Sequence, residues 1–336
     1  MRNLFPFYYH LTEEEKKALF MSKDCYFAFD TNALLDIYRL GKDTAEKVLQ
    51  LLDKYKGRII IPKQVAWEYH KNMLDIITEI CSKYDNFLRQ NDTDQLLRIL
   101  SSSLNVENFP SLKRKVFKYL KPAIDEMFID LKTECDYIKK QFHTWELQNK
   151  LSDALGSLVL SGFSEDEINK IEKEGEVRYA KEIPPGYKDL KNKDTNVYGD
   201  LIIWKEILEF AKSKGCSVVF IGRDMKEDWL QEIHGMTCGP RQELLDEFYR
   251  YSPKGKFHIY TLDQFLKFVN EIDKVLNDSE LSEVKELTGI PIKMKSDETK
   301  NKSSVPVKMS TPDADKSDSK QIEDKSTNEV GKTKAV

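Results

Sequence analysis

Short apolar runs alternate with segments of helical periodicity at the start of the chain. Residues 25–29 form an apolar run of strand length that stops at Asp30, and residues 58–61 form a second run. Between them, residues 33–40 and 44–55 repeat their apolar positions at helical spacing. This order predicts two strands joined by a helical crossover, which is the unit of a parallel sheet.

A long helical region separates this unit from a second set of strands. Apolar residues recur at intervals of three and four over residues 65–88, which predicts a long helix. Residues 91–181 are rich in Leu, Lys and Glu and show no strand pattern, so we predict a helical insertion there. The remaining predicted elements are helices over residues 197–213, 225–233 and 263–272 and strands over residues 217–221 and 257–260.

The predicted fold is α/β, with a central parallel sheet and an all-helical insertion. The predicted boundaries are residues 1–90 and 182–293 for the two halves of the sheet domain, residues 91–181 for the insertion and residues 294–336 for a tail. The tail has no aromatic residue and many Lys, Ser, Asp and Thr, so it is predicted to be disordered.

Composition narrows the class of protein. The chain has 336 residues, 40% of them apolar, and a formal net charge of −4, so any contact with nucleic acid must come from a local basic patch. The five cysteines are odd in number and contain no Cys-x-x-Cys pair, which argues against a zinc site or a disulfide framework. With no apolar segment of about 20 residues, we expect a cytoplasmic protein.

Acidic residues stand where the predicted strands end or the helices begin. The acids at these positions are Asp30, Glu68, Asp200, Asp224 and Asp228. In open α/β folds such positions converge on one edge of the sheet. Carboxylates gathered there repel one another unless a hard divalent cation neutralises them, and Mg²⁺ or Mn²⁺ accepts such oxygen ligands. The pattern therefore predicts a metal centre that hydrolyses phosphodiester bonds, with no side-chain nucleophile required.

Each acid also has a plainer interpretation. Asp30 alone would be read as a helix cap, Glu68 as a surface glutamate and Asp200 as a partner of the helix dipole. Asp224 and Asp228 are alternatively the salt-bridge partners of Arg223 or Lys226. Only the five acids taken together favour the metal site.

Substrate contacts are predicted around the acids. Tyr187 is placed to stack on a base, and Thr31 and Asn32 can hold the Asp30 carboxylate beside the substrate. The five histidines show no paired spacing, and only His70, close to Glu68, stands near the acids. The cations available for phosphate contacts are Lys63, Lys71, Lys188, Lys191, Lys193, Arg223 and Lys226.

At these residues the chain resembles the PIN domain superfamily, and more closely its PIN-like branch with a long helical insertion. The resemblance covers both halves of the sheet domain and neither the insertion nor the tail. The matching segments are residues 29–35 (FDTNALL), 61–70 (IPKQVAWEYH), 184–189 (PPGYKD), 198–204 (YGDLIIW) and 224–229 (DMKEDW).

The resemblance implies a three-layer α/β/α domain and endonucleolytic cleavage, usually of RNA, that depends on Mg²⁺ or Mn²⁺. The acids of the family correspond to Asp30, Glu68, Asp200 and Asp224, with Asp228 as an accessory acid. One departure is that Gly222-Arg223 precedes Asp224, where relatives of this branch often have Thr-Asp.

Four readings stay open. The first is an RNA endonuclease, including a toxin or defence effector, and the second is a DNA-directed nuclease with the same chemistry. The third is a catalytically weak binding or regulatory module whose insertion recruits a protein partner. An aspartyl-phosphate phosphatase fits poorly, because position 32 is Asn32 where a second acid is needed. Homodimerisation is also left open.

Overall fold

The computed structural model describes residues 1, 5–9, 11–191, 195–223 and 227–288. The strands are β1 (Cys25–Phe29), β2 (Ile59–Ile60), β3 (Ser217–Gly222), β4 (Leu230–Ile233), β5 (Met236–Pro240) and β6 (Phe257–Thr261). The helices are α1 (Glu13–Met21), α2 (Thr31–Leu35), α3 (Lys42–Tyr55), α4 (Lys63–Gln90), α5 (Thr93–Ser103), α6 (Pro110–Lys115), α7 (Lys121–Thr144), α8 (Glu146–Leu155), α9 (Glu165–Ala180), α10 (Gly199–Lys214), α11 (Gln242–Tyr251), α12 (Leu262–Asp273) and α13 (Asp278–Thr288).

Four parallel strands form the central sheet in the order β2-β1-β3-β6. In the register, Phe27 of β1 pairs with Ile59 on one side and with Val219 on the other. Strands β1 and β3 are almost wholly buried, as expected for apolar runs covered on both faces. The sequence prediction of a parallel sheet built from these four runs is confirmed.

Helices cover both faces of the sheet, which gives the three-layer α/β/α arrangement. Successive side chains of a strand point to opposite faces. The Tyr26 ring meets Phe210 of α10 with ring centres 5.0 Å apart, whereas the next ring, Phe27, meets Phe20 of α1 at 4.8 Å and Phe265 of α12 at 5.1 Å. Helices α1 and α12 therefore lie on one face and α10 on the other.

The insertion is helical, as predicted, and packs along the long helix α4. The Phe87 and Phe128 rings stack with centres 5.8 Å apart, and Lys139 Nζ donates to Asp85 Oδ1 at 2.6 Å, so α4 and α7 run antiparallel. The insertion belongs to the same compact unit as the sheet, residues 1–292. It also extends the sheet edge by one parallel bridge, between Ile61 and Val159, which the sequence pattern did not indicate.

The predicted helix over residues 225–233 is wrong. Residues 230–233 are strand β4, which pairs with β5 in an antiparallel hairpin. His234 and Gly235 form the turn with φ angles of 51° and 76°, the positive values that tight hairpin turns require. Helices α11 and α13 were also absent from the sequence prediction, and the predicted tail lies outside the described residues.

Two further properties follow from the described residues. All five cysteines are free thiols. Among the helices that the structure describes, none combines the length and the apolar character that a bilayer crossing requires.

Candidate active site

Asp30 follows the central strand directly. Its backbone amide donates to the Ile221 carbonyl at 2.8 Å, which continues the β1–β3 pairing up to the residue itself. The side chain stands at the start of α2, where the backbone amides of Thr31 and Asn32 favour its charged form. Burial, followed by the charges of Asp200 and Glu68, raises the pKa of Asp30 to about 7. The structure thus brings three of the predicted acids into one electrostatic neighbourhood.

Glu68 lies in the second turn of α4, and hydrogen bonds hold both of its oxygens. Oε2 accepts from the Thr31 hydroxyl at 2.9 Å. Oε1 accepts from Gln64 Nε2 at 2.9 Å and from Asn196 Nδ2 at 2.7 Å. These three donors orient the carboxylate.

Gln64 and Asn196 are site residues that the sequence analysis missed. They also bond to each other, with Gln64 Nε2 donating to Asn196 Oδ1 at 2.8 Å. Asn196 has a φ of 56°, a left-handed backbone that asparagine tolerates better than most residues. The only sequence signal is an asparagine shortly before the Gly199-Asp200 pair.

A glycine lets the start of α10 approach this cluster. A Cβ atom added to Gly199 would lie 2.6 Å from Glu68 Oε1 and 2.7 Å from Asn196 Nδ2. Only a residue without a side chain fits there. The Gly-Asp pair therefore serves two purposes, since Gly199 admits the Glu68 carboxylate and Asp200 adds its own.

Glu206, one more acid that the sequence analysis missed, anchors the start of α4 from α10. Its buried carboxylate accepts a hydrogen bond from the backbone amide of Lys63, one of the amides that a helix start leaves without an internal partner. Burial raises the pKa of Glu206 to about 7, although the amides of Lys63 and Gln64 oppose the rise. The first turn of α4, which carries Gln64, is thereby fixed to the helix that carries Asp200.

Asp200 stands in the first turn of α10, as predicted. Its Oδ2 accepts a hydrogen bond of 3.4 Å from Trp229 Nε1. The loop that contains Gly186 packs against it closely, because a Cβ added to Gly186 would lie 2.9 Å from Asp200 Cβ. Beside it, burial and then the charge of Asp200 raise the pKa of the Tyr179 hydroxyl.

Asp228 is fully buried and holds the loop of residues 184–189. Its Oδ2 accepts from the backbone amides of Gly186 at 2.9 Å and Lys188 at 3.5 Å. From the other side, the Arg178 guanidinium donates to the Pro184 carbonyl. The prediction had placed Asp228 on a helix, and its position in a turn before β4 instead directs it to this loop. Its role as an accessory metal ligand stays a prediction.

The predicted phosphate contacts are distributed unevenly. Arg223 is buried, where its Nη1 lies 3.2 Å from Asp36 Oδ1 and its Nη2 donates to the Leu287 carbonyl at 3.1 Å, so these contacts join α13 to the end of β3. Lys188 pairs with the exposed Glu227. Lys63 is exposed at the start of α4, where its stem lies against Gly162, and Tyr187 is half-buried.

Other predicted site residues have different outcomes. Asn32 Nδ2 lies 3.5 Å from Asp30 Oδ2, as expected, whereas Thr31 turns to Glu68. Lys71 Nζ stands 4.9 Å from the ring centre of the exposed Trp67. Asp224, Lys226 and Lys193 lie outside the described residues.

The donor chemistry fits a hard divalent cation. Three carboxylates lie at one sheet edge, where burial and then the charges of Asp200 and Glu68 raise the pKa of Asp30. Within the part of the chain that the structure describes, no group of three Asp, Glu, His or Cys side chains lies close enough together to hold a metal ion. That Asp30, Glu68 and Asp200 hold such a cation therefore stays a prediction.

The chain is therefore an open α/β protein whose candidate site, a cluster of carboxylates, lies at the carboxyl edge of its parallel sheet. Comparison with known families identifies the family within this class. The chain matches the model of the PIN like domain over residues 26–244 and belongs to this family. PIN-like domains are typically nucleases and bind nucleic acids. No curated protein and no solved structure matches the chain.

Proposed function

We propose that this protein is a divalent-metal-dependent endonuclease that acts on RNA. Membership of the PIN-like family supports the nuclease class. The observation that carries the proposal is the convergence of three acids: Thr31, next to Asp30, donates to Glu68 at 2.9 Å, and Gly199, next to Asp200, lies against the Glu68 carboxylate. The pKa of Asp30, raised to about 7 by burial and then by the charges of Asp200 and Glu68, agrees with this arrangement. A cation that binds at such a site would displace the proton on Asp30, because carboxylate ligands bind metal in their deprotonated form.

The residues divide the work as follows. Asp30, Glu68 and Asp200 would hold the cation, which supplies an activated water and a counter-charge for the phosphoryl oxygens. Thr31, Gln64 and Asn196 keep the Glu68 carboxylate oriented. The exposed Lys63 is available to a phosphate, and the ring of Trp67, half-exposed beside Glu68, is available to a base.

The test is cleavage of end-labelled single-stranded RNA and of DNA with the same sequence, in Mg²⁺ and in Mn²⁺. Wild-type protein should cut the RNA faster, and Asp30→Asn should lower the rate by at least about a hundredfold. Asp24→Asn, at an exposed acid just before β1, is the matched control and should retain full activity. Equal rates for wild type and Asp30→Asn would attribute the cutting to a contaminant, and faster cutting of DNA would favour the DNA-directed alternative.

One observation favours a second candidate, a binding module with weak catalysis. Both Glu68 oxygens are already engaged by hydrogen-bond donors, and the described residues hold no ready-made ligand set. In that case the protein should bind RNA tightly, bind Mn²⁺ weakly in calorimetry and leave both substrates uncut. Metal-dependent cutting that Asp30→Asn abolishes would exclude it.

A further inference from the structure

A basic and aromatic segment lies in the helical insertion, away from the acid cluster. Residues 108–124 contain five cations and no acid, although the whole chain has a net charge of −4. The five cations are Lys113, Arg114, Lys115, Lys118 and Lys121. This is the kind of local patch through which an acidic protein can contact a polyanion.

The local backbone turns this segment outward. Helix α6 leads into a π-helical turn, Val116–Leu120, before α7 begins. Val116 is the one buried side chain of residues 111–120, and it packs in a small core with Leu97 and Val106. Because only Val116 is buried, the other side chains of the turn face solvent. Turns of π-helix are frequent at functional sites.

Three of the cations have no acidic partner among the described residues. Lys113 pairs with Glu107 and Lys121 with Asp94. In contrast, no ion pair within the described ranges involves Arg114, Lys115 or Lys118. These three side chains are exposed, and their charges are available to a ligand.

Two large aromatic rings are interleaved with these cations. Phe117 is 46% exposed and Tyr119 is 61% exposed, and Lys118 Nζ stands 5.2 Å from the centre of the Tyr119 ring. Four of the five cations are lysines, which protein–protein interfaces disfavour. Unpaired cations beside open rings match what single-stranded nucleic acid requires, which is charge for its phosphates and flat surfaces for its bases.

We infer that the basic segment, defined as residues 113–119, binds single-stranded nucleic acid at a site separate from the acid cluster. The inference rests on the proposed function for its choice of polyanion, because a basic and aromatic helix also suits an anionic membrane surface. Arg114, Lys115 and Lys118 contact phosphates, and Phe117 and Tyr119 stack on bases.

The distance between the two sites sets the length of substrate that reaches both. The basic segment comes just before α7, whose first turns pack beside the C-terminal end of α4. From Glu68 to Gln90, α4 spans about 33 Å at about 1.5 Å per residue. At a stacked spacing of about 3.4 Å this is about ten nucleotides, so a tetranucleotide occupies the acid cluster alone.

The first experiment measures binding of a fluorescein-labelled 20-nucleotide RNA in EDTA, so that cleavage does not interfere. The variant Arg114→Gln/Lys115→Gln/Lys118→Gln is compared with Lys132→Gln/Lys170→Gln/Lys173→Gln, which removes the same charge at exposed positions elsewhere. We expect Kd to rise at least about tenfold in the first variant only, and the slope of log K against log salt to shrink by about 2, since each single-strand phosphate contact contributes about 0.7. Phe117→Ala/Tyr119→Ala should weaken binding without changing the slope.

The outcomes separate the sources of binding. An unchanged Kd and slope in the Arg114, Lys115 and Lys118 variant would overturn the inference. The inference would also be overturned if the same variant lost binding to phosphatidylserine vesicles but kept its affinity for RNA, because the segment would then bind a membrane surface. A parallel loss for single-stranded DNA supports recognition of the shared phosphate backbone. Circular dichroism and thermal melting of each variant verify that it is folded.

A failure of the proposed nuclease activity can be distinguished from a failure of RNA binding by the basic segment. The Asp30→Asn protein should bind the 20-nucleotide RNA in EDTA at least as tightly as wild type does, because the substitution removes a negative charge and leaves the basic segment intact. The cation variant should cut the tetranucleotide normally and the long RNA more slowly. If no RNA is cut by any form of the protein, the proposed function fails while the binding result stands.

Discussion

The hydroxyl of Thr31 donates a 2.9 Å hydrogen bond to Oε2 of Glu68 and so joins two side chains 37 positions apart. Thr31 follows Asp30 at the end of β1, and Glu68 belongs to α4, which begins after the neighbouring strand β2. Because this bond ties the loop of the first acid to the second acid, the positions of Asp30 and Glu68 are set together.

Metal binding should depend on pH. The pKa of Asp30 is raised to about 7 by burial and by the nearby charges of Asp200 and Glu68, so below pH 7 this carboxyl carries a proton that a cation must displace. The affinity for Mn²⁺ should therefore fall by up to about tenfold per pH unit below 7 and level off above it. Calorimetry at pH 6, 7 and 8 measures this, and an affinity that does not change with pH would remove Asp30 from the site.

Substitution Gly199→Ala should impair catalysis more than stability. The added Cβ would come within 2.6 Å of Glu68 Oε1 and displace the carboxylate. A misplacement of about 1 Å lowers rates by about a hundredfold, and we expect a loss of that order in RNA cleavage. Gly156→Ala is the matched control, since its Cβ meets nothing within 4 Å. Equal activities of the two variants would contradict the tight fit at Gly199.

Glu206 should make the free energy of unfolding depend on pH. Its pKa is about 7 in the folded protein, because of burial, against 4.5 for an ordinary glutamate. The folded state therefore holds the proton more tightly. The stabilisation from this group is fully present below pH 4.5, is lost as pH rises to about 7, and amounts to about 3 kcal/mol at most.

Urea unfolding between pH 4.5 and pH 8 measures this dependence. Glu206→Gln should flatten the decline relative to wild type, because the amide side chain does not titrate. Glu209→Gln, at an exposed position of the same helix, should reproduce the wild-type curve. If the Glu206 and Glu209 variants give the same curve, the buried carboxylate does not titrate in this range.

The Asp36–Arg223 pair should contribute strongly to stability. Asp36 is fully buried and Arg223 is 5% exposed, so replacing Asp36 removes an anion that lies 3.2 Å from a buried guanidinium. Asp36→Asn should lower the free energy of unfolding by about 3 kcal/mol. Asp246→Asn, which breaks the solvent-exposed pair with Arg250, should change it by less than about 1 kcal/mol. Denaturant titrations of both variants provide the comparison, and equal small effects would show that the buried pair is not needed.

Patterns of apolar residues determined the sheet and the positions of three acids. The runs that became β1, β3 and β6 are short and end at polar residues, and the helical spacing after residue 62 predicted α4. These signals are local, since burial of a strand or of one helix face appears directly in the order of side chains. Asp30, Glu68 and Asp200 could therefore be placed at element ends from the sequence.

The surroundings of those acids needed the tertiary structure. Gln64 and Asn196 resemble ordinary polar residues, and only the fold shows that they meet at Glu68 from positions 132 residues apart. Likewise, residues 230–233 form a strand and not the predicted helix, because the turn at His234 and Gly235 pairs them with β5. Asp228 therefore lies in a buried turn and not on a helix. Local order determines which elements form, whereas hydrogen-bond partners distant along the chain depend on how those elements pack.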